Sequence, residues 1–228
     1  MDLVRLEKIL GYKFKNKDFL LEALTHRSYL NEVSAWGVPN NERLEFLGDA
    51  VVELIVTEEL FRRYPDSTEG QLTPIRSALV NYQMMADVAR KLGLEEFVLL
   101  SRGEAKDLGR ARDVILANAL EAVIGATYLD GGYEAVARFV RQSILKRLDE
   151  VMKKGLYRDA KSELQEKIQE SLKLTPTYRV LEEAGPDHQK LFTVGVYFGE
   201  KFITKGSGHS KQDAEVEAAK AALIQLNF

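Results

Sequence analysis

Four side chains in two apolar segments of the chain could together bind a divalent cation. Glu45 and Asp49 lie in the segment NERLEFLGDA, and Asn118 and Glu121 lie in the segment ANALEA. Because a helix turns by about 100° per residue, each pair projects from one face of a helix. Apolar residues surround both pairs, so these acids must either shift their pKa or share a cation. The alternative is a solvated helix face, which is the commoner setting for acids at this spacing.

The composition restricts the kind of site that these residues can form. The chain has 228 residues, of which 45% are hydrophobic, and this is enough for one or two domains with apolar cores. It has no cysteine and three histidines, so disulfides and thiolate zinc sites are excluded and oxygen ligands for a hard cation are favoured. The net charge of -3 and the pI near 5.8 do not indicate a nucleic-acid-binding protein, so local charges must decide.

The sequence shows no feature of a membrane or secreted protein. It contains no continuous apolar run of the roughly 18 residues that a spanning helix needs, and its N-terminus lacks the apolar core of a signal peptide. We therefore expect a cytoplasmic protein that does not bind a membrane.

The elements that must position the four side chains are helices. Apolar spacing predicts short helices at residues 3–10 and 17–24, and then a polar loop up to Pro39. The acidic helix begins after Asn40 or Asn41 and ends near Tyr64, before a proline. The further predicted segments are a helix at 71–92 with Pro74 in its first turn, a polar loop at 101–110, and helices at 112–129 and 133–151. No convincing strand is predicted in this region.

Small residues beside the second acidic pair favour close helix packing. Ala122 and Gly125 follow Glu121 within about one turn, and side chains of this size let another helix come near. We therefore expect the two acidic helices to pack against each other.

A different pattern begins near residue 152. Residues 152–157 are typical of a linker, because the periodicity stops and Gly155 interrupts the segment. Next come a helix with an apolar edge, alternating runs at 177–182, 190–198 and 201–207, and an alanine-rich helix at 210–226. This α-β-β-β-α order predicts a small α+β domain in which a three-stranded antiparallel sheet carries both helices on one face. The predicted protein is therefore multidomain, with an all-α domain at 1–151, a linker at 152–157 and the α+β domain at 158–228.

These motifs resemble those of bacterial ribonuclease III over nearly the whole chain. NERLEFLGDA is similar to the family's signature, ANALEA is similar to its second acidic motif, and residues 158–227 are similar to a double-stranded RNA-binding domain. The resemblance implies an all-α endonuclease domain that forms a homodimer and hydrolyses both strands of double-stranded RNA with Mg²⁺, or with Mn²⁺ as an alternative. The implied products carry 5′-phosphates, 3′-hydroxyls and two-nucleotide 3′ overhangs, and the implied substrates are rRNA precursors and other structured transcripts. No small-molecule organic cofactor is implied.

The resemblance also implies roles for individual residues of the first domain. The expected metal ligands are Glu45, Asp49, Asn118 and Glu121, and among them Asp49 and Glu121 are the expected catalytic residues. Three further charged residues are expected to contact an outlying cation, to support the ligands or to lie at an interface: Glu42, Arg43 and Glu69.

Asn118 departs from the family's pattern, in which many members have aspartate. An amide is neutral, so the site has one negative charge fewer and should hold a cation less tightly. Two explanations remain open: a natural variant whose carbonyl oxygen still binds the metal, or an engineered change that traps the substrate. The alternative function is therefore a double-stranded RNA-binding protein with weak or no cleavage. A third possibility is a structural helical dimer that carries an unrelated interaction module.

The resemblance places RNA contacts in three regions of the second domain. The expected contact residues are Gln165, Glu166, Gln169, His188, Lys205, Ser210 and Lys211. Amide, carboxylate and imidazole groups suit the 2′-hydroxyls of the minor groove, and a helix N-terminus with a lysine suits phosphate. The segment SKQ at 210–212 has one lysine where the family usually has two, so weaker phosphate binding is expected. The domain has ten Lys or Arg against eleven Asp or Glu, so a small interaction module without RNA affinity is its alternative reading.

Several other residues are expected to be structural. His26, Ser28 and Asp49 lack the spacing and the glycine-framed nucleophile of a hydrolase triad. Phe46 and Leu47 are expected to lie in the core or at a dimer contact rather than to stack on the substrate.

Overall fold

The computed structural model describes residues 2–33, 35–106, 108–157, 160–186 and 190–226. The chain divides into two compact units, Met1–Tyr157 and Arg158–Phe228. The described part of the first unit contains the helices α1 (Leu3–Leu10), α2 (Lys17–Ala23), α3 (Arg27–Glu32), α4 (Glu42–Arg63), α5 (Glu69–Val80), α6 (Tyr82–Lys91), α7 (Arg110–Ser143) and α8 (Leu148–Lys154). Short 3₁₀ turns lie at Leu94–Glu96, Glu104–Lys106 and Leu145–Arg147. The prediction of an all-α first domain is confirmed.

The single helix predicted at residues 71–92 is two helices, and this prediction is wrong. Asn81 has an extended backbone (φ -68°, ψ 158°), and its side-chain oxygen accepts a hydrogen bond from the Met84 N–H, so it ends α5 and caps α6. Pro74 lies in the second turn of α5 rather than in its first turn, because α5 begins earlier than predicted, at Glu69.

The polar loop predicted before the acidic helix contains a short helix, α3. The His26 imidazole caps this helix by accepting a hydrogen bond from the Ser28 N–H at 3.3 Å. A helix of six residues is too short for a periodic apolar pattern, and histidine is not one of the usual capping residues.

The break predicted between the helices at residues 112–129 and 133–151 is present, because Gly132 has a non-helical backbone (φ 75°, ψ -176°) that divides α7 into two helical segments. After a 3₁₀ turn, α8 extends to Lys154, and Gly155 ends it in the left-handed conformation (φ 61°). Met152 and Tyr157, from the segment predicted as a linker, pack against the apolar core of the first unit.

The stretch Arg110–Lys154 is long and apolar enough in composition to cross a membrane. However, 61% of its most apolar window is buried inside the protein, and Leu116, Leu120 and Ile124 of the same stretch are fully buried. Its apolar character therefore has a sufficient explanation in core packing.

The second unit matches the predicted α-β-β-β-α order. It consists of α9 (Ala160–Leu172), β1 (Pro176–Ala184), β2 (Leu191–Phe198), β3 (Lys201–Gly208) and α10 (Lys211–Gln225). The strands form an antiparallel sheet in the order β1-β2-β3. Both helices pack with β2 in one core, which contains Leu164 and Ile168 from α9, Val196 from β2, and Ala218 and Ala222 from α10. The predicted fold class is confirmed.

Candidate active site

The helices α4 and α7 cross at two glycines with their backbones in contact. A Cβ atom placed on Gly48 would lie 1.7 Å from the carbonyl oxygen of Glu121, and one placed on Gly125 would lie 2.3 Å from the carbonyl oxygen of Leu44. Only glycine permits such an approach, because any side chain would overlap the neighbouring backbone. The expectation that Gly125 allows close packing is confirmed. Gly48 is its partner, and this pairing is not apparent from the sequence, because it depends on how the two helices cross.

The crossing brings the four predicted metal ligands to one place. Burial, followed by the nearby charges of Asp49 and Glu45, raises the pKa of Glu121 to about 8. Burial also raises the pKa of Glu45, with Glu42 and Asp49 acting in the same direction, while a hydrogen bond from the Asn118 amide opposes them. Glu45, Asn118 and Glu121 are half-buried, and Asp49 is exposed. Three acids and one amide therefore interact in a partly desolvated position.

This donor set fits a hard divalent cation. It offers carboxylate oxygens and one amide oxygen, which are the ligands that Mg²⁺ prefers. Within the described ranges, no three His, Asp or Glu side chains form a group that could hold a metal ion by themselves. Carboxylates repel one another when no cation lies between them, and Mg²⁺ usually keeps several of its waters. A few protein ligands would therefore be enough to hold the cation, because water and substrate oxygens complete its coordination.

A cleft of about 460 Å³ opens beside the acidic cluster. Its walls are formed by His26, Arg27, Asn41, Glu42, Glu45, Glu104, Ala111, Val114, Ile115 and Asn118. Glu42 lies in this cleft, where its carboxylate is 3.5 Å from the Arg27 guanidinium. Burial lowers the pKa of His26, and the charge of Glu104 opposes this shift. The sequence indicates no role for His26 and Arg27 in a site, because the residues that line the cleft come from separate segments of the chain.

Arg43 and Glu69 lie apart from the cluster. Arg43 lines a groove of about 620 Å³ together with Phe19, Glu22, Glu42, Leu44, Phe46, Leu47 and Leu129. Phe46 is 82% exposed, so of the two settings expected for it the core is excluded and the dimer contact stays a prediction. Glu69 begins α5 and lines a different cavity, beside Phe61 and Arg76. The structure does not bring Arg43 or Glu69 to the four ligands.

The predicted RNA contacts of the second unit lie mainly on its helices. Gln165, Glu166 and Gln169 are exposed on α9, while Leu164 and Ile168 of the same helix are buried. Ser210 caps α10 by accepting a hydrogen bond from the Asp213 N–H at 3.0 Å. Lys211 is the first residue of α10, and its ammonium group lies 3.2 Å from a carboxylate oxygen of Glu183. The predicted contact His188 lies outside the described residues.

Lys205 lies on the other face of the sheet. The next residue, Gly206, faces α10 so closely that a Cβ there would be 2.1 Å from the backbone nitrogen of Ala218. Because side chains alternate along a strand, Lys205 points away from the helices. The structure therefore does not bring Lys205 together with Lys211 and α9.

Comparisons with known proteins find a matching family for each of the two units. Residues 16–148 match the Ribonuclease-III-like family, and residues 160–226 match the double-stranded RNA binding motif. Ribonuclease 3 of Desulforamulus reducens is 47% identical over 222 residues, which cover 97% of this chain and 90% of that protein. Ribonuclease 3 of Carboxydothermus hydrogenoformans is 46% identical over 225 residues, which cover 99% of this chain and 96% of that protein.

A solved structure is also similar to the first unit. The nuclease domain of ribonuclease III from Campylobacter jejuni, described as flexible in a region involved in dimer formation, has 42% sequence identity and a TM-score of 0.58. The similarity covers 64% of this chain and 97% of that domain.

Proposed function

The chain belongs to the ribonuclease III family, and from this premise we propose that it is a metal-dependent endoribonuclease that hydrolyses both strands of double-stranded RNA. The observation that carries this proposal is the meeting of Glu45, Asp49, Asn118 and Glu121 at the crossing of α4 and α7. The proposed products carry 5′-phosphates, 3′-hydroxyls and two-nucleotide 3′ overhangs. The proposed substrates are rRNA precursors and other structured transcripts in the cytoplasm.

The residues of the cluster have separate tasks in this reaction. The carboxylates of Glu45, Asp49 and Glu121 and the carbonyl oxygen of Asn118 would hold Mg²⁺, or Mn²⁺ in its place. A divalent cation supplies positive charge that stabilises the pentavalent phosphate and the leaving 3′-oxygen. The exposed carboxylate of Asp49 accepts a hydrogen bond from the attacking water and orients it towards the phosphate. The pKa of about 8 means that Glu121 is largely protonated at neutral pH, so it must release its proton when it binds the cation.

The second unit supplies affinity for the duplex. The amide and carboxylate groups of Gln165, Glu166 and Gln169 suit 2′-hydroxyls, and the N-terminus of α10 with Ser210 and Lys211 suits phosphate. We include His188 among the proposed contacts. We leave out Lys205, since it projects from the sheet face opposite the helices.

We also propose that two chains form a homodimer through the first unit. Phe46 is large, apolar and 82% exposed, and it lies beside a groove with apolar walls. A second copy would bury this side chain, whereas a monomer would leave it in water. The description of the Campylobacter jejuni nuclease domain, which mentions dimer formation, supports this proposal.

The second candidate function is RNA binding without cleavage. Asn118 favours it, because a neutral amide occupies a position next to Glu45 where a fourth carboxylate would strengthen cation binding.

Labelled duplex RNA incubated with Mg²⁺ separates these functions. We expect the wild-type chain to give short duplex fragments, and we expect Glu121→Gln to give none while it retards the RNA equally in a gel. A wild-type chain that retards RNA without cleaving it in Mg²⁺ or Mn²⁺ would establish the binding protein instead. No retardation at low salt would indicate the structural dimer.

A further inference from the structure

We propose that the cleft beside the acidic cluster binds a ribose 2′-hydroxyl of the RNA, and that the Nε2–H of His26 donates to this hydroxyl. The inference rests on the proposed action on RNA and adds a residue by which the first unit distinguishes RNA from DNA. His26 would touch the substrate but take no part in the transfer of protons to or from the phosphate.

The position of the His26 proton follows from its hydrogen bonds. The backbone N–H of Ser28 points at Nδ1 at 3.3 Å, and because a backbone N–H can only donate, we assign Nδ1 as the acceptor of this contact. The Ser28 hydroxyl lies 2.8 Å from the same Nδ1 and itself accepts a hydrogen bond from the Ser101 N–H at 3.1 Å. The Ser28 hydroxyl hydrogen can then share the single lone pair of Nδ1 with the backbone N–H. An accepting Nδ1 carries no proton, so the neutral ring carries its proton on Nε2.

The Nε2–H is available to a ligand. Among the residues that the structure describes, the recorded partner of the ring is Ser28, on the Nδ1 side. The ring lines the cleft, and because Nδ1 is engaged at the start of α3, we assign the Nε2 edge to the ligand. Burial lowers the pKa of His26, which keeps the ring neutral in neutral solution.

The charges of the cleft favour a hydroxyl over a phosphate as the acceptor. Its lining includes the proposed cation ligand Glu45, the ion pair of Arg27 with Glu42, and Glu104, so the charge that neither a cation nor an ion pair balances is the negative charge of Glu104. A phosphate held there would be repelled, whereas a hydroxyl is neutral and can also donate to a carboxylate.

The remaining wall of the cleft suits the sugar carbons. Ala111, Val114 and Ile115 add apolar groups to its lining. In DNA the 2′-hydroxyl is replaced by hydrogen, so the Nε2–H would be desolvated without an acceptor. A site built in this way therefore disfavours deoxyribose.

Two substitutions separate the contact with RNA from the capping of α3. His26→Asn keeps an acceptor at the position of Nδ1 and is a good helix cap, but it does not reach as far as Nε2. His26→Gln keeps a donor that reaches this far. We expect His26→Asn to unfold thermally like the wild type and to lose about tenfold in kcat/KM on duplex RNA, which is a typical value for one hydrogen bond. We expect His26→Gln to stay within about threefold of the wild type.

Duplexes with single 2′-deoxy substitutions near the cleavage site identify the acceptor. One such substitution should cost the wild type about tenfold and should cost His26→Asn nothing more, because the contact is already lost. The proposal fails if His26→Asn has the same kcat/KM as the wild type on all-ribose RNA. It also fails if every 2′-deoxy substitution lowers the kcat/KM of His26→Asn as much as it lowers that of the wild type. A third contrary result is that the wild type and His26→Asn become equal only when a phosphate of the RNA is replaced by a neutral methylphosphonate, which would indicate a phosphate contact.

Two further measurements keep the test independent of cleavage and of the folding of the variants. The His26→Asn and 2′-deoxy substitutions can also be compared through the dissociation constants of the RNA complexes in Ca²⁺. This comparison tests the contact even if the wild type does not cleave RNA. A failure of the proposed function and a failure of this inference are therefore distinguishable. Nitrogen-15 NMR of the wild type, which has three histidines, should show the His26 proton on Nε2, and a proton on Nδ1 would overturn the inference.

Discussion

The backbone carbonyl oxygen of Glu121 lies directly against Gly48, so closely that a Cβ on Gly48 would be 1.7 Å away. Gly48 precedes Asp49 in the chain and follows Glu45 by about one helical turn. The contact that holds α4 against α7 is therefore also the contact that sets the distance between the acids of the two helices.

Gly48→Ala should disturb both stability and activity. Alanine in a helix interior normally stabilises by about 1 kcal/mol relative to glycine. Here the methyl group overlaps backbone atoms that cannot rotate away, so we expect the free energy of unfolding to fall by about 2 kcal/mol or more. Because Glu121 moves with the separated helix, kcat should fall by more than tenfold. Thermal unfolding and cleavage of duplex RNA measure the two effects.

Gly70→Ala is the matched control. Gly70 lies in the first turn of α5, and a Cβ there would meet only the Thr68 hydroxyl oxygen at 3.9 Å. This substitution should leave cleavage unchanged and should not lower the free energy of unfolding. Equal losses in the two variants would show that the contact between Gly48 and Glu121 is not responsible.

Glu121→Gln should stabilise the metal-free protein, and more so at high pH. The pKa of Glu121 is raised to about 8 in the folded protein, above its value of 4.5 in the unfolded chain. The folded state therefore binds more protons than the unfolded state between these values, so stability falls as the pH rises from about 4.5 to about 8. Glutamine removes this loss, and we expect a gain of about 4 kcal/mol at pH 8 and little gain at pH 4.

Urea unfolding in a chelator at both pH values measures this effect. Added Mg²⁺ should stabilise the wild type but not Glu121→Gln. An equal gain at pH 4 and at pH 8 would contradict the assigned proton linkage.

The sequence predicts the four side chains that meet at the crossing of α4 and α7 better than it predicts their surroundings. Glu45 and Asp49 stand out because acids interrupt an apolar helix, and this local signal does not depend on the partner helix. The pairing of Gly48 with Gly125 depends on the crossing of two helices that are distant in sequence, so no local pattern reveals it. His26 is missed because histidine is not a usual capping residue and because the cleft that it lines is formed by separate segments of the chain.

The prediction of the fold is limited in the same way, because a sequence pattern reports only local features. The strands of the second unit are predicted because alternation is local, yet a register shift between Val196 and Tyr197 makes it unsafe to assign faces by counting along β3. This is why the face of Lys205 becomes clear only from the contact of Gly206 with α10. The break at Asn81 is missed because one capping residue separates two helices whose apolar spacing continues across it.

Asn118→Asp should strengthen cation binding. A fourth carboxylate adds negative charge beside Glu45 and removes the amide that now hydrogen-bonds to it. We expect the Mg²⁺ concentration for half-maximal cleavage to fall roughly tenfold, and we expect the melting temperature without metal to fall because repulsion increases. Asn31→Asp, at an exposed position of α3 outside the cluster, adds the same charge and should change neither quantity. Unchanged metal dependence in Asn118→Asp would remove residue 118 from the proposed ligands.

Phe46→Ala should shift the protein from dimer to monomer. Removing an apolar side chain that a partner buries costs roughly 2 kcal/mol or more, which corresponds to at least a thirtyfold weaker association. Sedimentation over a range of concentrations measures the change. Ile224→Ala removes a side chain that is similarly exposed, at 77%, from the second unit and should leave the association constant unchanged. A Phe46→Ala protein that sediments like the wild type would exclude this surface from the interface.

Lys211→Ala should weaken binding to duplex RNA through the loss of one phosphate contact. The lysine stands at the N-terminus of α10, where backbone N–H groups also favour anions, and it is paired with Glu183 on the neighbouring strand. Loss of Lys211 should lower the affinity for duplex RNA several-fold. It should also reduce the slope of the logarithm of the binding constant against the logarithm of the salt concentration by about 1. Lys205→Ala removes the same charge from the opposite face of the sheet, so both the affinity and the slope should stay near the wild-type values. Filter binding at several salt concentrations with the cleavage-impaired Glu121→Gln background compares the two directly. If Lys205→Ala loses as much as Lys211→Ala, the RNA contacts more of the sheet than the helix face alone.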